Sequence, residues 1–215
     1  MNIIEQLLDK LSFDRTVELT QEEELAVLNY LSSGDMIDNG SSRIAYEFFD
    51  KYVVKVGMSE CGFNQNKIER DFYAEHGDSG YFAHLFAYGR TLNIMECLDD
   101  CSFYDPDDYY FDEDEDEGQD DFYRMIFDMI DQVNVLTNYY GADNGQIGYS
   151  SIDDCYKLYD YGYSMDYNRD EIVDSVGSWM NFLDPLQNAI EIVEGREPYT
   201  QEELSRMWQN YWEAR

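Results

Sequence analysis

Two charged residues in the first half of the sequence have types and spacing suited to forming a buried ion pair. Lys55 lies inside the apolar run Val-Val-Lys-Val, and Glu69 follows 14 residues later in a segment with helical periodicity. A buried ammonium group needs a partner, and Glu69 could supply it. Gly40, in Gly-Ser-Ser-Arg, precedes the lysine where a turn between strands could cover a phosphate. Asp160 ends a later short strand, in Asp-Tyr-Gly.

Each of these residues also has an ordinary structural interpretation. Lys55 could be a lysine on an edge strand, where such residues discourage aggregation. Glu69 could be a solvated acid on the surface of a helix. Asp160, two residues before a glycine, could simply belong to a turn.

The elements that must position these residues follow from hydrophobic periodicity and capping signals. Helices are predicted over 2–13, from the Thr20 capping box through Leu31, over 64–76, 122–136, 172–183 and 186–193, and after the Thr200 capping box. Strands are predicted at 44–46 and 52–56, joined as a hairpin around Asp50-Lys51, and at 82–88, 91–97 and 156–159. The acidic run 99–121 is predicted to be a loop.

This order of elements predicts an α+β protein in two lobes. Residues 1–38 form an N-terminal helical segment, and residues 39–98 form a small lobe with an antiparallel sheet. The acidic loop, 99–121, separates this lobe from a helical large lobe, 122–215.

The ordered series of motifs resembles the protein-kinase fold, and most of all the small degenerate kinase-like proteins of bacteria and their phages. The matching segments are Gly40–Arg43, Val53–Val56, Gln65–Glu69, Ile94–Cys97 and Asp160–Gly162. The resemblance implies that Lys55 meets nucleotide phosphates and that Glu69 holds it. It further implies that Asp160 binds Mg²⁺ and that the backbone of Glu96–Leu98 contacts the adenine edge.

The segment that would carry the kinase catalytic loop departs from the kinase pattern. The sequence contains no His-Arg-Asp triplet, and alignment on Gln146 puts Gly141 where the catalytic Asp belongs. Asp143 lies only three residues before Gln146. We therefore predict a pseudokinase with no cofactor. The alternative is an active ATP-dependent protein kinase that uses ATP and Mg²⁺, with Asp143 as the catalytic residue of an unusual loop.

The charge is extreme, with 47 Asp and Glu against 14 Lys and Arg, a net charge of −33. Such a charge excludes nucleic-acid binding by phosphate neutralisation and binding to an anionic membrane surface. Residues 99–121 hold 13 acids and no base, yet the rest of the chain still carries 34 acids against 14 bases, a net −20. The acidity is therefore spread over the whole chain. Halophilic or solubility-driven acidity is the ordinary alternative.

The composition also resembles that of phage proteins that mimic DNA and block host defences such as restriction or CRISPR. The predicted partner is a basic protein with a nucleic-acid-binding cleft, and the predicted compartment is the cytoplasm, that of the host if the protein is phage-encoded. The acids predicted to bind the partner form two clusters. They are Asp112, Glu113, Asp114, Glu115, Asp116 and Glu117 in the acidic run, and Asp166, Asp170, Glu171 and Asp174 in the helical half.

Overall fold

A computed structural model describes residues 2–12, 14–39, 42–103, 146–161 and 183–215. In this part of the chain the α+β class is confirmed. The helices are α1 (Ile3–Leu8), α2 (Gln21–Leu31), α3 (Glu60–His76), α4 (Pro185–Val193) and α5 (Gln201–Glu213). The strands are β1 (Val17–Glu18), β2 (Met36–Asn39), β3 (Arg43–Phe48), β4 (Tyr52–Gly57), β5 (Leu85–Tyr88), β6 (Leu92–Glu96), β7 (Asp99–Phe103), β8 (Gln146–Ser150) and β9 (Cys155–Leu158).

The helix starts follow the capping signals of the sequence. The Thr20 and Thr200 side chains each accept a hydrogen bond from the backbone N–H three residues later. In return, the Glu23 and Glu203 carboxylates accept from the backbone N–H groups of Thr20 and Thr200. Asp184 caps α4, which has proline at its first position. The predicted helix over 2–13 is shorter than expected, since α1 ends at Leu8.

Six strands form one sheet in the order β1-β5-β6-β4-β3-β2. All neighbours are antiparallel except β1 and β5, which are parallel, so the sheet is mixed where the sequence predicted an antiparallel one. The β3–β4 hairpin is confirmed, and Phe49 and Asp50 in its turn have positive φ angles of 54° and 46°. Positive φ at successive turn residues suits the twist of the flanking strands.

The chain divides into two compact units, whose boundaries differ from the predicted domains. The first unit comprises 1–74, 84–97 and 162–215, and the second comprises 75–83 and 98–161. Residues 1–38 do not form a separate helical segment, because β1 and β2 are strands of the six-stranded sheet. The C-terminal helices α4 and α5 also belong to the first unit.

The core of the first unit explains this division. One face of the sheet, with Ile44, Val54 and Val56 at its centre, packs against apolar residues of the helices. These residues are Leu7 of α1, Val27, Leu28 and Leu31 of α2, Leu186, Ala189 and Val193 of α4, and Leu204 of α5. Helices from both ends of the chain therefore share one hydrophobic core with the sheet.

The second unit contains a three-stranded antiparallel sheet in the order β7-β8-β9. Strand β7 occupies the start of the acidic run, so the prediction of a loop beginning at residue 99 is wrong for 99–103. Pairing with β8 provides the hydrogen bonds of this segment, and β-propensity read from sequence does not include such tertiary contacts. Within the described part of the chain, no helix has the length and apolar character needed to cross a membrane.

Candidate functional site

Lys55 and Glu69 form a buried ion pair in the first unit. Lys55 lies on β4, Glu69 lies on α3, and the Lys55 Nζ to Glu69 Oε1 distance is 2.7 Å. The Glu69 side chain is fully buried. The pairing expected from the sequence is therefore confirmed. Strand β4 has neighbours on both sides, which excludes the edge-strand interpretation of Lys55, and the burial of Glu69 excludes a solvated acid.

Two more side chains complete the hydrogen bonding of the Glu69 carboxylate. Arg43 Nη1, from β3, lies 3.0 Å from Glu69 Oε2, and Asn93 Nδ2, from β6, donates to the same oxygen at 2.9 Å. Asn93 is directly opposite Lys55 in the β4–β6 register. The carboxylate thus joins three strands to α3 through one cluster, which we call the Glu69 cluster: Arg43, Lys55, Asn66, Glu69 and Asn93.

Asn66, one turn before Glu69 on α3, orients the rest of the cluster. Its Oδ1 accepts a hydrogen bond from Arg43 at 3.2 Å, and its Nδ2 donates to the Thr91 carbonyl at 2.9 Å. Its own carbonyl accepts from Asn93 at 3.0 Å. A buried polar network in which each member is hydrogen-bonded is rigid. The cluster therefore holds two cationic side chains in fixed positions.

Sequence reasoning missed Arg43, Asn66 and Asn93 as members of this cluster. Asn66 lies in the Gln-Asn-Lys-Ile-Glu segment that had been matched as a motif, but no role was assigned to it. Arg43 and Asn93 reach Glu69 only through the pairing of β3, β4 and β6. A polar residue in an otherwise apolar strand, as Asn93 is in Leu-Asn-Ile-Met, was the one available signal.

The start of α3 lies very close to the start of β3. A Cβ atom placed on Gly62 would lie 2.3 Å from the Ser42 carbonyl oxygen, so only glycine fits there without movement. Ser42 Oγ donates to Gln65 Oε1 at 2.5 Å. These contacts fix the helix that carries Glu69 against the strand that carries Arg43. Gly40, the predicted cover of a phosphate, lies outside the described residues.

The segment predicted to contact adenine is already hydrogen-bonded within the protein. The Glu96 N–H donates to the His84 carbonyl at 2.8 Å, and the Cys97 N–H donates to the Lys51 carbonyl at 3.0 Å. The Glu96 carboxylate accepts from the His84 N–H at 3.1 Å. These two N–H groups are therefore used by the sheet. Leu98 is buried and is assigned to the second unit, and the adenine role of Glu96 and Leu98 stays a prediction.

Asp160 follows β9 in the second unit and is exposed. Its φ angle of 58° lies in the left-handed region, which is uncommon for a residue other than glycine. The next residue, Tyr161, is buried and donates through its hydroxyl to the Ala83 carbonyl at 3.0 Å. Within the described residues, no three His, Cys, Asp or Glu side chains are grouped so as to hold a metal ion. The Mg²⁺ role of Asp160 stays a prediction.

The remaining predicted site residues lie outside the described part of the chain. They are Asp143 and Gly141 of the segment matched to the kinase catalytic loop, the acids 112–117, and Asp166, Asp170, Glu171 and Asp174. Gln146, on which that segment was aligned, is the first residue of β8 and pairs with Phe103.

The charged surface is a second candidate site. Among the residues whose exposure is described, 23 acids but only 7 Lys and Arg are exposed. The buried acids in the same part of the chain are Glu23, Glu24, Glu69 and Glu96, and each accepts hydrogen bonds from neighbouring groups. The excess of acids is therefore a property of the surface, whereas the interior acids serve the fold.

Comparison of the chain with protein-family models, with curated proteins and with solved structures gives no match. The Glu69 cluster and the acidic surface are the two features of the described residues that bear on function.

Proposed function

We propose that this protein is a catalytically inactive, kinase-like protein whose acidic surface binds a basic, nucleic-acid-handling partner as a DNA mimic. The observation that carries the proposal is the ratio of 23 exposed acids to 7 exposed bases. Self-repulsion on this scale costs stability, and a small domain needs only about 2–8 net charges for solubility. A surface charge this far above the need for solubility supports a role of the acids in binding.

The physical basis of the mimicry is electrostatic. A DNA duplex carries one negative charge per about 1.7 Å of its axis, and its protein partners present matching Lys and Arg clefts. Exposed carboxylates on a folded scaffold can occupy such a cleft in place of phosphates. The interior ion pairs and hydrogen bonds then have the separate task of keeping that scaffold folded against its own repulsion.

The kinase-like part of the proposal is supported by the Glu69 cluster. In protein kinases an ion pair between a strand lysine and a helix glutamate must form before phosphate transfer. Lys55 and Glu69 make such a pair, at 2.7 Å, between β4 and the helix that follows it. The proposed loss of catalysis rests on the sequence, in which Gly141 takes the position of the catalytic Asp.

The test is capture of the partner from a host lysate by the immobilised protein, followed by elution at increasing salt. We expect a basic nucleic-acid enzyme that is released steeply between about 50 and about 200 mM salt, since each replaced phosphate contact adds to the salt dependence. Duplex DNA should compete for the same partner. Neutralising 112–117, or Asp166, Asp170, Glu171 and Asp174, to Asn and Gln should weaken capture.

Two results would contradict the mimicry: no competition by DNA, and unchanged capture after both clusters are neutralised. The matched control neutralises the three acids of α5, Glu202, Glu203 and Glu213, and is compared with neutralisation of three acids within one of the two clusters. Glu202 already pairs with Arg206 at 3.0 Å. Equal weakening by this control would mean that net charge alone, and no particular surface, drives capture.

The second candidate function is an active protein kinase, and the Lys55–Glu69 pair is the observation that favours it. The test is incorporation of phosphate from ATP into the protein itself and into generic substrates, with Mg²⁺ or Mn²⁺. The pseudokinase proposal expects no incorporation. Turnover that is abolished by Asp143→Asn would establish the kinase and assign its catalytic residue.

A further inference from the structure

An apolar patch lies at the β2 edge of the six-stranded sheet, where large apolar residues are unusually exposed. Ile37 is 52% exposed, Met36 is 42% exposed, and Tyr30 and Phe49 are each 38% exposed. We call these four residues the β2 patch. Two further large apolar residues are comparably exposed in the described part of the chain, Ile152 and Trp212. An edge strand with exposed apolar residues is a pairing hazard that proteins usually avoid.

Ring contacts bring Tyr30 and Phe49 together, and strand register places Met36 near the same end of β3. Tyr30, at the end of α2, stacks on Phe49 with a centroid distance of 4.7 Å, and both contact Phe48. Met36 is directly opposite Tyr46, two residues before Phe48 on the same face of β3. The patch therefore runs from β2 to the β3–β4 turn.

A register irregularity between Met36 and Asp38 leaves Ile37 as an extra residue on β2. Such bulges re-aim a side chain out of the regular alternation of a strand. The result here is that Met36 and Ile37, which are adjacent in sequence, are both exposed at the edge. Among the strands of the described residues, none pairs with the outer edge of β2.

The charges around the patch indicate what kind of partner it fits. Four exposed acids are close to it in sequence, and Lys51 is the one exposed base among the residues of 35–38 and 42–51. The acids are Asp35 and Asp38 on either side of the exposed pair of β2, Glu47 on β3, and Asp50 in the β3–β4 turn. These four exposed acids, which we call the acidic rim, are sequence neighbours of the patch residues. Acids beside an apolar surface are complementary to a segment that carries both Lys or Arg and apolar side chains.

We propose that the β2 patch binds an extended, basic polypeptide segment with apolar side chains, which adds as a strand to the edge of the sheet. Main-chain hydrogen bonds to an edge strand supply affinity in such complexes, and side-chain contacts supply specificity. Apolar side chains of the segment contact Ile37 and Met36, and its Lys or Arg side chains pair with the acidic rim. This inference concerns the protein's interactions beyond DNA mimicry and does not depend on it.

The probe for this surface is a capped peptide in which lysine and valine alternate. We expect it to bind at least about tenfold more tightly than a lysine–serine peptide of equal charge. Ile37→Ser should weaken its binding about tenfold, because an exposed apolar anchor is lost while the fold is kept. The matched control is Ile152→Ser, since Ile152 is 46% exposed and lies in the second unit.

Equal binding of the lysine–serine peptide would overturn the proposal, because charge alone would then account for the affinity. Unchanged binding after Ile37→Ser, or an equal loss after Ile152→Ser, would also overturn it. Backbone N-methylation of the lysine–valine peptide tests strand addition, and we expect it to abolish binding. Full binding of the methylated peptide would overturn the edge-pairing mode.

The peptide-binding and partner-capture experiments distinguish failure of the β2 patch proposal from failure of the DNA mimicry. Loss of peptide binding in Ile37→Ser, together with partner capture that DNA does not compete, would support the β2 patch and contradict the mimicry. DNA-competed capture together with no peptide binding would contradict the patch and support the mimicry.

Discussion

Glu69 on α3 and Glu24 on α2 are both buried carboxylates of the first unit, but they differ in the kind of partner that they bind. Glu69 binds the ends of long side chains, Lys55 at 2.7 Å and Arg43 at 3.0 Å. Glu24 accepts from neutral groups of the β5–β6 turn: the Arg90 N–H at 2.9 Å, the Thr91 N–H at 2.6 Å and the Thr91 hydroxyl at 2.7 Å.

The difference separates a structural carboxylate from one that could serve a ligand. Glu24 fixes the backbone of a turn, and a Cβ atom on Gly89 of that turn would lie 2.4 Å from the Glu24 carboxyl carbon. Its donors belong to the main chain and one short side chain, so they have no freedom to act elsewhere. Glu69 instead fixes two long cationic side chains through charge-assisted hydrogen bonds, which are shorter and stronger than neutral ones.

The largest effect is expected from removal of Glu69. Glu69→Ala leaves Lys55 and Arg43 buried without their shared carboxylate, and breaking a buried ion pair in this way costs about 3–5 kcal/mol. Urea denaturation should show this loss in the free energy of unfolding. Asp71→Ala is the matched control, since Asp71 lies on the same helix with a side chain 55% exposed, and its effect should stay within about 0.5 kcal/mol. A loss below about 1 kcal/mol for Glu69→Ala would contradict the assigned role.

Removal of Glu24 is expected to destabilise the protein somewhat less. Glu24→Ala leaves the buried Thr91 N–H without an acceptor, but it leaves no buried charge without a partner. An unsatisfied buried donor costs about 1–3 kcal/mol. The measurement is the same urea denaturation, with added nucleotide as a second condition. If added nucleotide changes the free energy of unfolding of Glu24→Ala but not that of wild type, the purely structural role of Glu24 is contradicted.

Replacement of Lys55 is expected to have a smaller effect on stability than either glutamate substitution. Lys55→Met removes one cation from Glu69, but Arg43 and Asn93 still bind the carboxylate. We expect a loss of about 1 kcal/mol, near the net value of one hydrogen bond. A double-mutant cycle with Arg43→Met should show coupling between the two cations, because they share one acceptor. Additive losses would mean that the Glu69 cluster does not act as a unit.

The sequence predicted the parts of the site that depend on local pattern. A lysine in an apolar strand followed by a helix with glutamate suggested the Lys55–Glu69 pair, and the resemblance to protein kinases implied it. Asn93 and Arg43 could not be predicted, because their approach to Glu69 depends on the register of three strands. Glu24 was missed for another reason, since it stands in the acidic first turn of a capped helix, where acids are common and usually solvated.

In the fold, too, features set by local sequence were predictable, whereas features set by contacts between distant segments were not. Capping boxes predicted where α2 and α5 begin, and the turn at Asp50 predicted the β3–β4 hairpin. The parallel pairing of β1 with β5 and the packing of α4 on α2 depend on contacts between distant segments. The acids of 99–103 suggested a loop, because local propensity does not include the pairing of β7 with β8.

The smallest effect concerns Glu23, the neighbour of Glu24 on α2, and it depends on pH. Burial raises the pKa of Glu23, but hydrogen bonds from Lys10 and Thr20 outweigh burial and hold the pKa below its ordinary value of 4.5. A carboxylate whose pKa is lower in the folded than in the unfolded protein adds stability above the ordinary pKa. That stability is lost as the pH falls through the folded-state pKa.

Glu23→Gln should therefore cost up to about 1 kcal/mol at neutral pH, because the ion pair with Lys10 is lost whereas glutamine can still serve the capping box. The difference from wild type should shrink as the pH falls below 4.5, because protonated Glu23 no longer binds Lys10 and Thr20 as a carboxylate. Thermal or urea unfolding at neutral pH and at about pH 3 gives the measurement. A difference that stays constant or grows toward low pH would contradict the assigned hydrogen bonds. Such a result would leave the capping geometry, and not the charge of Glu23, as the contribution of this residue to α2.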